Sequence, residues 1–320
     1  MIAICIESSN SRGMGHLFRS LLYAEFLKKR NEQFIYLINN DEPSLKILSE
    51  KGIDYIIVDF SDIASNWEGK LIAQYDIDVW FNDKFETDYE MGKNICNCNI
   101  LFCAIDDVGA GAEFCNLYFA GMIYPTLHDL PGMESFGGND YIILNPEVNR
   151  NKRKRTNISK VLITLGGSDP FGVTLEVVKE MQSFDFSIDI VVGPNFRFRK
   201  ELENINRKNY RIYQNVPSLI NMFYEYDLAI SGGGITCCEA NATGLPCIII
   251  ANAPHEINTG KYMEHLGGSI YAGEHGKWDT SVLKKIRQLP ISDMSTSGMR
   301  NFDTKAIDRI FAIIEKRRRK

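Results

Sequence analysis

Short runs rich in isoleucine, valine, leucine and phenylalanine recur along the whole chain and alternate with segments of helical periodicity. Such runs are typical of strands buried on both faces of a parallel sheet, and the amphipathic segments between them supply the covering helices. The sequence therefore predicts an α/β fold with parallel sheets. The predicted strands are 2–6, 33–38, 54–58, 77–82, 99–105, 117–120, 160–165, 186–192, 227–230 and 246–250, and helical periodicity is clearest in 16–29, 173–183, 197–206 and 257–266.

A polar and basic stretch divides these runs into two groups. It extends from Asn145 to Asn157, contains a proline and shows no periodicity. A chain of 320 residues also exceeds the ~250–300 residues at which a single hydrophobic core usually stops growing. We therefore expect two α/β domains, residues 1–150 and residues 151–320.

The last helical pattern, 303–318, places four apolar residues on one face and runs into a basic tail, Lys316 to Lys320. We expect this helix to pack back on the first domain, with the cations suiting the negative end of the helix dipole. A second interpretation is that the tail and the basic stretch make a peripheral contact with anionic lipid or a sugar-phosphate carrier. The four apolar residues are Ile307, Ile310, Phe311 and Ile314.

Charge and cysteine content narrow the class of protein. A net charge of -5 gives no general attraction to nucleic acid. No uninterrupted apolar stretch reaches the ~18 residues of a membrane span, and the first run is too short for a signal peptide. The eight cysteines include Cys5, Cys103 and Cys247 in or beside apolar runs, which indicates reduced thiols and a cytoplasmic location.

Candidate metal ligands are poorly arranged. Cys96 and Cys98, with two further cysteines downstream, do not have the usual pairwise spacing of zinc ligands. Asp106 and Asp107 point to opposite sides of an extended strand, and Asp169 stands alone among glycines. We predict no metal site and no bound cofactor.

The loop after the first strand ends in Gly13-Met14-Gly15-His16 and enters a helix directly. Glycines there let the backbone approach a ligand, and the free N–H groups of a helix start favour an anion or a reacting oxygen. His16 and Arg19 occupy neighbouring positions on one helix face. The positive helix end favours a neutral imidazole, so we predict His16 as a general base with Gly13, Gly15 and Arg19 near the substrate. A packing or capping role for His16 is the alternative.

Gly166-Gly167-Ser168 follows the predicted strand 160–165 and precedes a helix. This order of strand, glycine pair, hydroxyl and helix is a layout that cradles phosphate oxygens with backbone N–H groups. We predict that these three residues bind a nucleotide. An ordinary turn with Pro170 at the first helical position is the alternative.

A second glycine-rich loop, Ser231-Gly232-Gly233-Gly234, follows the run 227–230. Three consecutive glycines remove side chains where the backbone would meet a ligand. Thr236 and Glu239 follow in the helix, and the Glu239 carboxylate is placed to accept hydrogen bonds from both ribose hydroxyls. Together the two loops predict a nucleotide diphosphate site, with a salt-bridged helix glutamate as the alternative.

A further polar segment, His255-Glu256-Ile257-Asn258, lies at another predicted helix start, after the strand that ends at Ile250. Imidazole, carboxylate and amide groups can each hydrogen-bond a sugar or a phosphate. We predict that His255, Glu256 and Asn258 bind the substrate.

In order and spacing these motifs resemble the UDP-sugar hydrolases of pseudaminic acid biosynthesis (PseG) and their spore-coat polysaccharide relatives (SpsG). The resemblance extends from about residue 2 to about residue 272 and, more distantly, includes the peptidoglycan transferase MurG and other GT-B enzymes. The residues that carry it are Gly13-Met14-Gly15-His16 with Arg19, Ala24 and Leu27, then Ile105-Asp106-Asp107, Gly166-Gly167-Ser168-Asp169-Pro170, and Ser231-Gly232-Gly233-Gly234 with Thr236 and Glu239.

The resemblance implies a GT-B-like fold, with two Rossmann-like domains facing a cleft and UDP held mainly by the second. It implies that water activated by His16 attacks the anomeric carbon and breaks the bond to UDP. The product would be a free acetamido-deoxy sugar for nonulosonic acid or surface polysaccharide biosynthesis. Glu239 would hold the ribose, and the segment from Tyr213 to Val216 would lie near the base.

Two positions depart from the hydrolase pattern. Where the hydrolases carry Asp-x-Tyr near a strand end, this chain has Asp83-Lys84-Phe85, and we place Asp83 at the substrate. The run from His255 to Asn258 looks closer to the sugar-contacting stretch of GT-B transferases. A UDP-sugar hydrolase is the main hypothesis. A GT-B glycosyltransferase with a sugar or lipid-linked acceptor is the alternative, and a non-catalytic nucleotide-sugar-binding protein is the second alternative.

Overall fold

A computed structural model of the chain describes residues 1–8, 14–121, 130–167, 169–193, 195–205, 207–214 and 216–318. By backbone contacts the chain divides into two compact units, residues 1–143 with 305–320 and residues 144–304. The polar stretch that predicts a boundary near residue 150 lies entirely within the second unit, and its first residues include a short 3-10 helix, Pro146–Asn151. Within the described residues no helix combines the length and apolar character needed to cross a bilayer.

The first unit is a seven-stranded parallel sheet in the order β3-β2-β1-β4-β5-β6-β7, covered by helices. This confirms the predicted α/β class. Its strands are β1 (Ile2–Ile6), β2 (Phe34–Ile38), β3 (Tyr55–Ile57), β4 (Val79–Asp83), β5 (Leu101–Ile105), β6 (Leu117–Ala120) and β7 (Glu134–Gly137), and its helices before the second unit are α1 (Gly15–Lys29), α2 (Glu42–Glu50), α3 (Trp67–Tyr75) and α4 (Tyr89–Cys96).

The second unit is a six-stranded parallel sheet in the order β10-β9-β8-β11-β12-β13. Its strands are β8 (Lys160–Thr164), β9 (Ser187–Val192), β10 (Tyr210–Gln214), β11 (Leu228–Ser231), β12 (Cys247–Ala251) and β13 (Ser269–Glu274), and its helices are α5 (Val173–Met181), α6 (Arg199–Glu203), α7 (Ile220–Phe223), α8 (Ile235–Ala242), α9 (Pro254–His265), α10 (Ser281–Lys284) and α11 (Ile291–Asn301).

The last helix, α12 (Ala306–Arg318), belongs to the first unit. Its apolar face packs against α1 in the core of the first unit, where the rings of Phe311 and Phe26 stack with centroids 5.0 Å apart. Burying a stripe of this kind stabilises the unit by about 1.5–3 kcal/mol for each large side chain. The buried residues of the stripe are Ile307, Ile310, Phe311 and Ile314.

Several cations of the tail and the basic stretch form ion pairs or hydrogen bonds with other residues of the protein. Arg318 donates to Asp78 at 2.6 Å, and Arg317 pairs with Glu134. Arg153 pairs with Asp227 in the second unit, and Arg155 is almost completely buried. The contact with anionic lipid stays a prediction that rests on the other cations.

Candidate functional site

The order of strands in the first sheet brings His16 and Asp83 together. The sheet runs outward in opposite directions from β1 and β4, and in open parallel sheets a crevice forms at the carboxyl ends of two such strands. Ile6, the last residue of β1, lies opposite Asp83, the last residue of β4. His16 sits in the first turn of α1, just after β1, so it stands at this crevice.

Asp83 is fully buried and accepts hydrogen bonds from three side chains. His16 Nδ1 lies 2.6 Å from one carboxylate oxygen, while the Tyr23 hydroxyl and Arg19 Nε donate to the other at 2.7 and 2.9 Å. Burial by itself raises the pKa of Asp83, but the Arg19 charge and the hydrogen bonds from His16 and Arg19 outweigh it and hold the pKa well below its usual range.

An ionised Asp83 fixes the chemistry of His16. A carboxylate only accepts hydrogen bonds, so the proton on the imidazole stands at Nδ1 and points to Asp83. The other ring nitrogen, Nε2, is left with its lone pair and can take a proton from a reacting group. The arrangement is that of a base oriented by a buried carboxylate, and the His16 side chain keeps 25% of its surface exposed.

These contacts change the roles predicted for two residues. Asp83 has no exposed surface, so we reassign it from substrate binding to the support of His16. Arg19 donates to both Asp83 and Asp106, and its guanidinium is therefore used within the protein. Gly15 is exposed, and a Cβ there would meet no atom of the described residues within 4 Å; its place near the substrate stays a prediction. Gly13 lies outside the described residues.

The second sheet repeats this topology with β8 and β11. Ser231, the last residue of β11, pairs with Thr164 of β8, so the loops that follow these two strands start side by side. Gly166 has a φ of 92°, a conformation that glycine adopts without strain. Among the described residues, no atom lies within 4 Å of the position that a Cβ would take on Gly166 or Gly167. Ser168 lies outside the described residues.

The helix after the first of these loops is already capped. Both carboxylate oxygens of Asp169 accept backbone hydrogen bonds, from Val173 at 3.0 Å and Thr174 at 2.8 Å. Helix α5 therefore begins beyond Pro170, and the first N–H groups of α5 are satisfied by Asp169 rather than free for phosphate. Of the predicted cradle, the described groups that remain are those of Gly166 and Gly167.

The packing of the fold explains why two of the three positions in the second glycine-rich loop are glycine. A Cβ on Gly233 would stand 2.4 Å from the backbone oxygen of Glu256, and one on Gly232 would stand 3.2 Å from the Glu256 carboxylate. These two glycines therefore make room for the first turn of α9, and their role in binding a nucleotide stays a prediction. Gly234 is less crowded, with its nearest neighbour 3.9 Å away.

The same packing brings the predicted sugar-binding residues of α9 to the loop. Glu256 is partly buried and accepts a hydrogen bond from the backbone N–H of Asn252 at 2.8 Å. His255 is exposed in the same turn, and Asn258 is partly buried one turn further on. The carboxylate of Glu256 thus lies beside Gly232 at the carboxyl edge of the sheet.

Asn252 is a further candidate for the nucleotide site that the sequence motifs do not indicate. Its side-chain amide donates to the carbonyl of Leu165 at 2.9 Å and so ties the end of β12 to the loop that starts at Gly166. The amide oxygen of Asn252 is buried, and no group among the described residues hydrogen-bonds to it. The available signal was its position, a polar residue directly after an apolar strand.

Glu239 stands in α8 as an unpaired carboxyl group. Within the described part of the chain, no hydrogen bond or ion pair reaches this side chain, and burial raises its pKa to about 7. A carboxylate without donors in a poorly hydrated position is suited to a ligand that brings hydroxyl groups. Thr236 lies in the first turn of the same helix, and Val216 follows β10, with β9 between that strand and β8.

The cysteines considered as metal ligands are free thiols. Cys103 and Cys115 are buried, while Cys96 is exposed and Cys98 partly so. Cys237 and Cys238 are buried in α8 as packing residues. In the described ranges no three His, Cys, Asp or Glu side chains converge on a point as metal ligands would.

Sequence comparison finds two distant relatives, and no family model matches the chain. An uncharacterized protein of Methanocaldococcus jannaschii, MJ1062, is 28% identical over 271 residues, which are 78% of this chain and 55% of that protein. The chain therefore spans about half the length of that relative. The spore coat polysaccharide biosynthesis protein SpsG of Bacillus subtilis is 22% identical over 302 residues, 85% of this chain and 83% of that one.

Solved structures similar to this chain include glycosyltransferases. MurG of Acinetobacter baumannii superposes with a TM-score of 0.72 at 14% identity, over 98% of this chain and 99% of that one. Glycosyltransferase VinC, solved in complex with dTDP, gives a TM-score of 0.62 at 11% identity, over 98% and 100% of the two chains. The chain therefore has the GT-B fold of two Rossmann-like domains, as predicted.

Proposed function

We propose that this protein is a GT-B glycosyltransferase that uses a nucleotide-diphosphate sugar as donor. The observation that carries the proposal is the His16–Asp83 pair at the crevice of the first sheet, which is a preoriented base. The fold shared with MurG and VinC and the similarity to SpsG, whose name places it in polysaccharide biosynthesis, support the same class. Because a fold hosts many functions, the site has to carry the argument.

In the proposed reaction a hydroxyl group of the acceptor attacks the anomeric carbon of the donor sugar. His16 Nε2 takes the hydroxyl proton as the new C–O bond forms, and the bond between the anomeric carbon and the diphosphate oxygen breaks. The nucleoside diphosphate leaves with the bonding electron pair. Asp83 stabilises the imidazolium that forms, which is the role of the buried carboxylate in other base–carboxylate pairs.

The second unit would hold the nucleotide in this proposal. In this proposal the backbone N–H groups of Gly166 and Gly167 would donate to phosphate oxygens, in a loop where a Cβ on either glycine would meet no described atom within 4 Å. The start of α8 at Gly234 has no side-chain cap from the described residues. The Glu239 carboxylate would accept hydrogen bonds from the ribose hydroxyls. Glu256, beside Gly232, is an acceptor for sugar hydroxyls rather than a phosphate ligand, since its carboxylate repels an anion.

Hydrolysis is the second candidate function, and it is favoured by the separate motifs between Gly13 and Glu239 that resemble those of UDP-sugar hydrolases. The two candidates share the donor and the base and differ in the acceptor. A panel of UDP-, dTDP-, GDP- and CMP-sugars tested by thermal shift should identify one donor class, because a bound donor stabilises the fold by mass action. Nucleotide release from that donor is then measured with and without sugar acceptors.

Release that needs an acceptor supports the transferase, and release of free sugar at full rate in water supports the hydrolase. Binding without turnover under any acceptor supports a non-catalytic nucleotide-sugar-binding protein. A chain that neither binds nor turns over any donor of the panel would contradict the proposal.

Donor affinity should rise with pH around neutrality because of Glu239. With a pKa of about 7 in the free protein, this group is partly protonated at pH 7, and ribose hydroxyls that donate to it favour the ionised form. Affinity for the donor that the panel identifies should therefore increase about tenfold from pH 6 to pH 8 and level off above, with a proton released on binding. Calorimetry in buffers of different ionisation enthalpy measures both effects.

The matched control is Glu239→Gln, which should abolish this slope and the proton release. A cationic histidine that binds phosphate would give the opposite slope, with affinity falling as pH rises. A slope that persists in Glu239→Gln would assign the titration to another group.

A further inference from the structure

An exposed aromatic ring lies beside the first glycine-rich loop of the second unit. Phe171 comes four residues after Gly167, and 51% of its surface is exposed. Its ring stacks on the imidazole of His275, with the ring centroids 3.6 Å apart and the two planes within 5° of parallel. Because His275 covers one face of the ring while half of the residue stays exposed, the exposed part includes the opposite face.

A tight turn fixes the backbone at Phe171. Pro170 and Phe171 are its two central residues, and the Gly172 backbone N–H closes it by donating to the carbonyl of Asp169 at 3.1 Å. Proline is favoured at the second position of such a turn and glycine at the fourth. The ring is therefore held in place before a ligand arrives, and a contact with it loses little conformational entropy.

His275 and Glu256 are anchored on one peptide group. This peptide joins Ala251, the last residue of β12, to Asn252. Its carbonyl accepts a hydrogen bond from the backbone N–H of His275 at 2.9 Å, and its N–H donates to the Glu256 carboxylate at 2.8 Å. The C=O and N–H of a trans peptide point in opposite directions, so the two residues lie on either side of the end of β12.

Both residues adjoin the loop that is proposed to hold the diphosphate. The Asn252 amide donates to the carbonyl of Leu165, where that loop begins, and Phe171 lies at its other end. Strand β13, which His275 follows, is one edge of the sheet, and β10 is the opposite edge. The segment that resembles a base site is at β10. In the proposed donor complex the sugar therefore points toward β12 and β13.

The chemistry of these side chains matches a pyranose ring. Such a ring carries hydroxyl groups around its rim and C–H groups on its faces. The face of an aromatic ring has a negative quadrupole that attracts the partly positive hydrogens of the C–H groups, and a carboxylate accepts hydrogen bonds from the hydroxyls. Phe171 and Glu256 thus offer complementary contacts to one sugar.

We propose that Phe171 binds the sugar of the donor by stacking on one face of its ring. His275 is a positioning residue, which holds the Phe171 ring in the stacking orientation. The proposal rests on the proposed function, since it needs a nucleotide-diphosphate sugar as donor. It adds the residue that distinguishes the complete donor from the nucleotide alone.

The test is calorimetry of Phe171→Ala with two probes, the donor that the thermal-shift panel identifies and the corresponding free nucleoside diphosphate. Affinity for the donor should fall about tenfold, because a stacked ring contact is lost. Affinity for the nucleoside diphosphate should stay within about twofold, because it has no sugar to stack on the ring. Phe171→Trp keeps an aromatic face and should bind the donor within about threefold of wild type.

Tyr224→Ala is the matched control. Tyr224 belongs to the same unit and is 52% exposed, but it lies between α7 and β11, at the amino edge of the sheet. Both affinities should stay within about twofold in this variant. His275→Ala should weaken donor binding about threefold, and His275→Phe, which keeps a flat ring, should restore it. Wild-type donor affinity in His275→Ala would overturn the positioning role.

Equal losses for both probes in Phe171→Ala would overturn the proposal, because the ring would then stack on the base or support the phosphate loop. Unchanged affinity for both probes would overturn it as well, and a raised acceptor KM in that variant would assign the ring to the acceptor. In these cases wild type still binds the donor, so the proposed function stands and this inference alone fails. A wild-type chain that binds no donor of the panel would contradict both.

Discussion

Asp83→Asn should lower kcat about 10³–10⁴-fold and leave nucleotide affinity within about twofold. The asparagine amide cannot accept from all the donors that surround the native carboxylate, namely His16, Arg19 and Tyr23. If its NH₂ group faces His16, the imidazole must accept at Nδ1, and the proton moves to Nε2, the nitrogen that has to act as base. A base in the wrong tautomer costs about 10⁴ in comparable sites.

A double-mutant cycle shows whether Asp83 acts through His16. In the His16→Ala background, Asp83→Asn should cause little further loss of kcat, because residues that act as a unit are not additive. Independent, multiplicative losses would contradict the pairing. Thermal unfolding of each variant checks the fold, and Tyr23→Phe, which removes one donor to Asp83, is the milder variant if Asp83→Asn is unstable.

Arg155→Met should destabilise the second unit by about 3–5 kcal/mol, the range for breaking a buried charged network. Only 1% of this side chain is exposed, and its guanidinium donates to the carbonyls of Phe223 at 2.5 Å and Tyr226 at 3.0 Å, and also to those of Arg153 and Thr243. Burial, helped by the like charge of Arg153, lowers its pKa to about 9. Methionine fills the volume but removes one donor from each of these carbonyls. Within the described residues the carbonyl of Arg153 is then left without a donor, at about 1–3 kcal/mol. The carbonyls of Phe223, Tyr226 and Thr243 each keep one other donor.

The control for this substitution is Arg150→Met, an exposed arginine of the same basic stretch. It should change the free energy of unfolding by less than about 0.5 kcal/mol, as surface substitutions usually do. Urea unfolding followed by fluorescence measures both variants. A loss below about 1 kcal/mol in Arg155→Met would mean that water replaces the guanidinium and that the carbonyls do not need it.

The strands that the sequence predicts well are the central ones. The run 160–165 corresponds to β8 (Lys160–Thr164), because a strand covered on both faces has to be continuously apolar. The edge strands β7 and β10 carry no such signal, since part of each faces solvent and polar residues such as Arg211 are tolerated. Each of them forms by pairing with a neighbouring strand, β7 with β6 and β10 with β9, and so extends the sheet.

The site is predictable to the extent that it depends on strand ends. His16, Gly166 and Gly234 follow apolar runs, and parallel strands end at one edge of a sheet, so their grouping within each unit could be anticipated. Which partner each residue meets depends on strand order, which the sequence does not state. The bond between His16 and Asp83 exists because β4 lies beside β1, although the two residues are separated by 67 positions.

The structural roles of Gly232 and Gly233 likewise could not be predicted from the sequence alone. The sequence identifies Gly232 and Gly233 as positions where a side chain is excluded, but not what excludes it. Only the packing of α9 shows that Glu256, more than 20 residues later, fills that space. Arg155 is the converse case, a cation in a polar stretch whose burial has no local signal at all.

In the proposed function His16 of the first unit carries out the chemistry and Glu239 of the second unit binds the nucleotide. The most direct test compares kcat and donor KM of His16→Ala and Glu239→Gln, using the donor that the thermal-shift panel identifies. His16→Ala should lose kcat with the nucleotide affinity retained. Glu239→Gln should raise KM about 10–100-fold at nearly unchanged kcat, as expected for hydrogen bonds of ~1.5–3 kcal/mol to groups that do not react. Equal losses of kcat in both variants, or wild-type turnover in His16→Ala, would contradict the account.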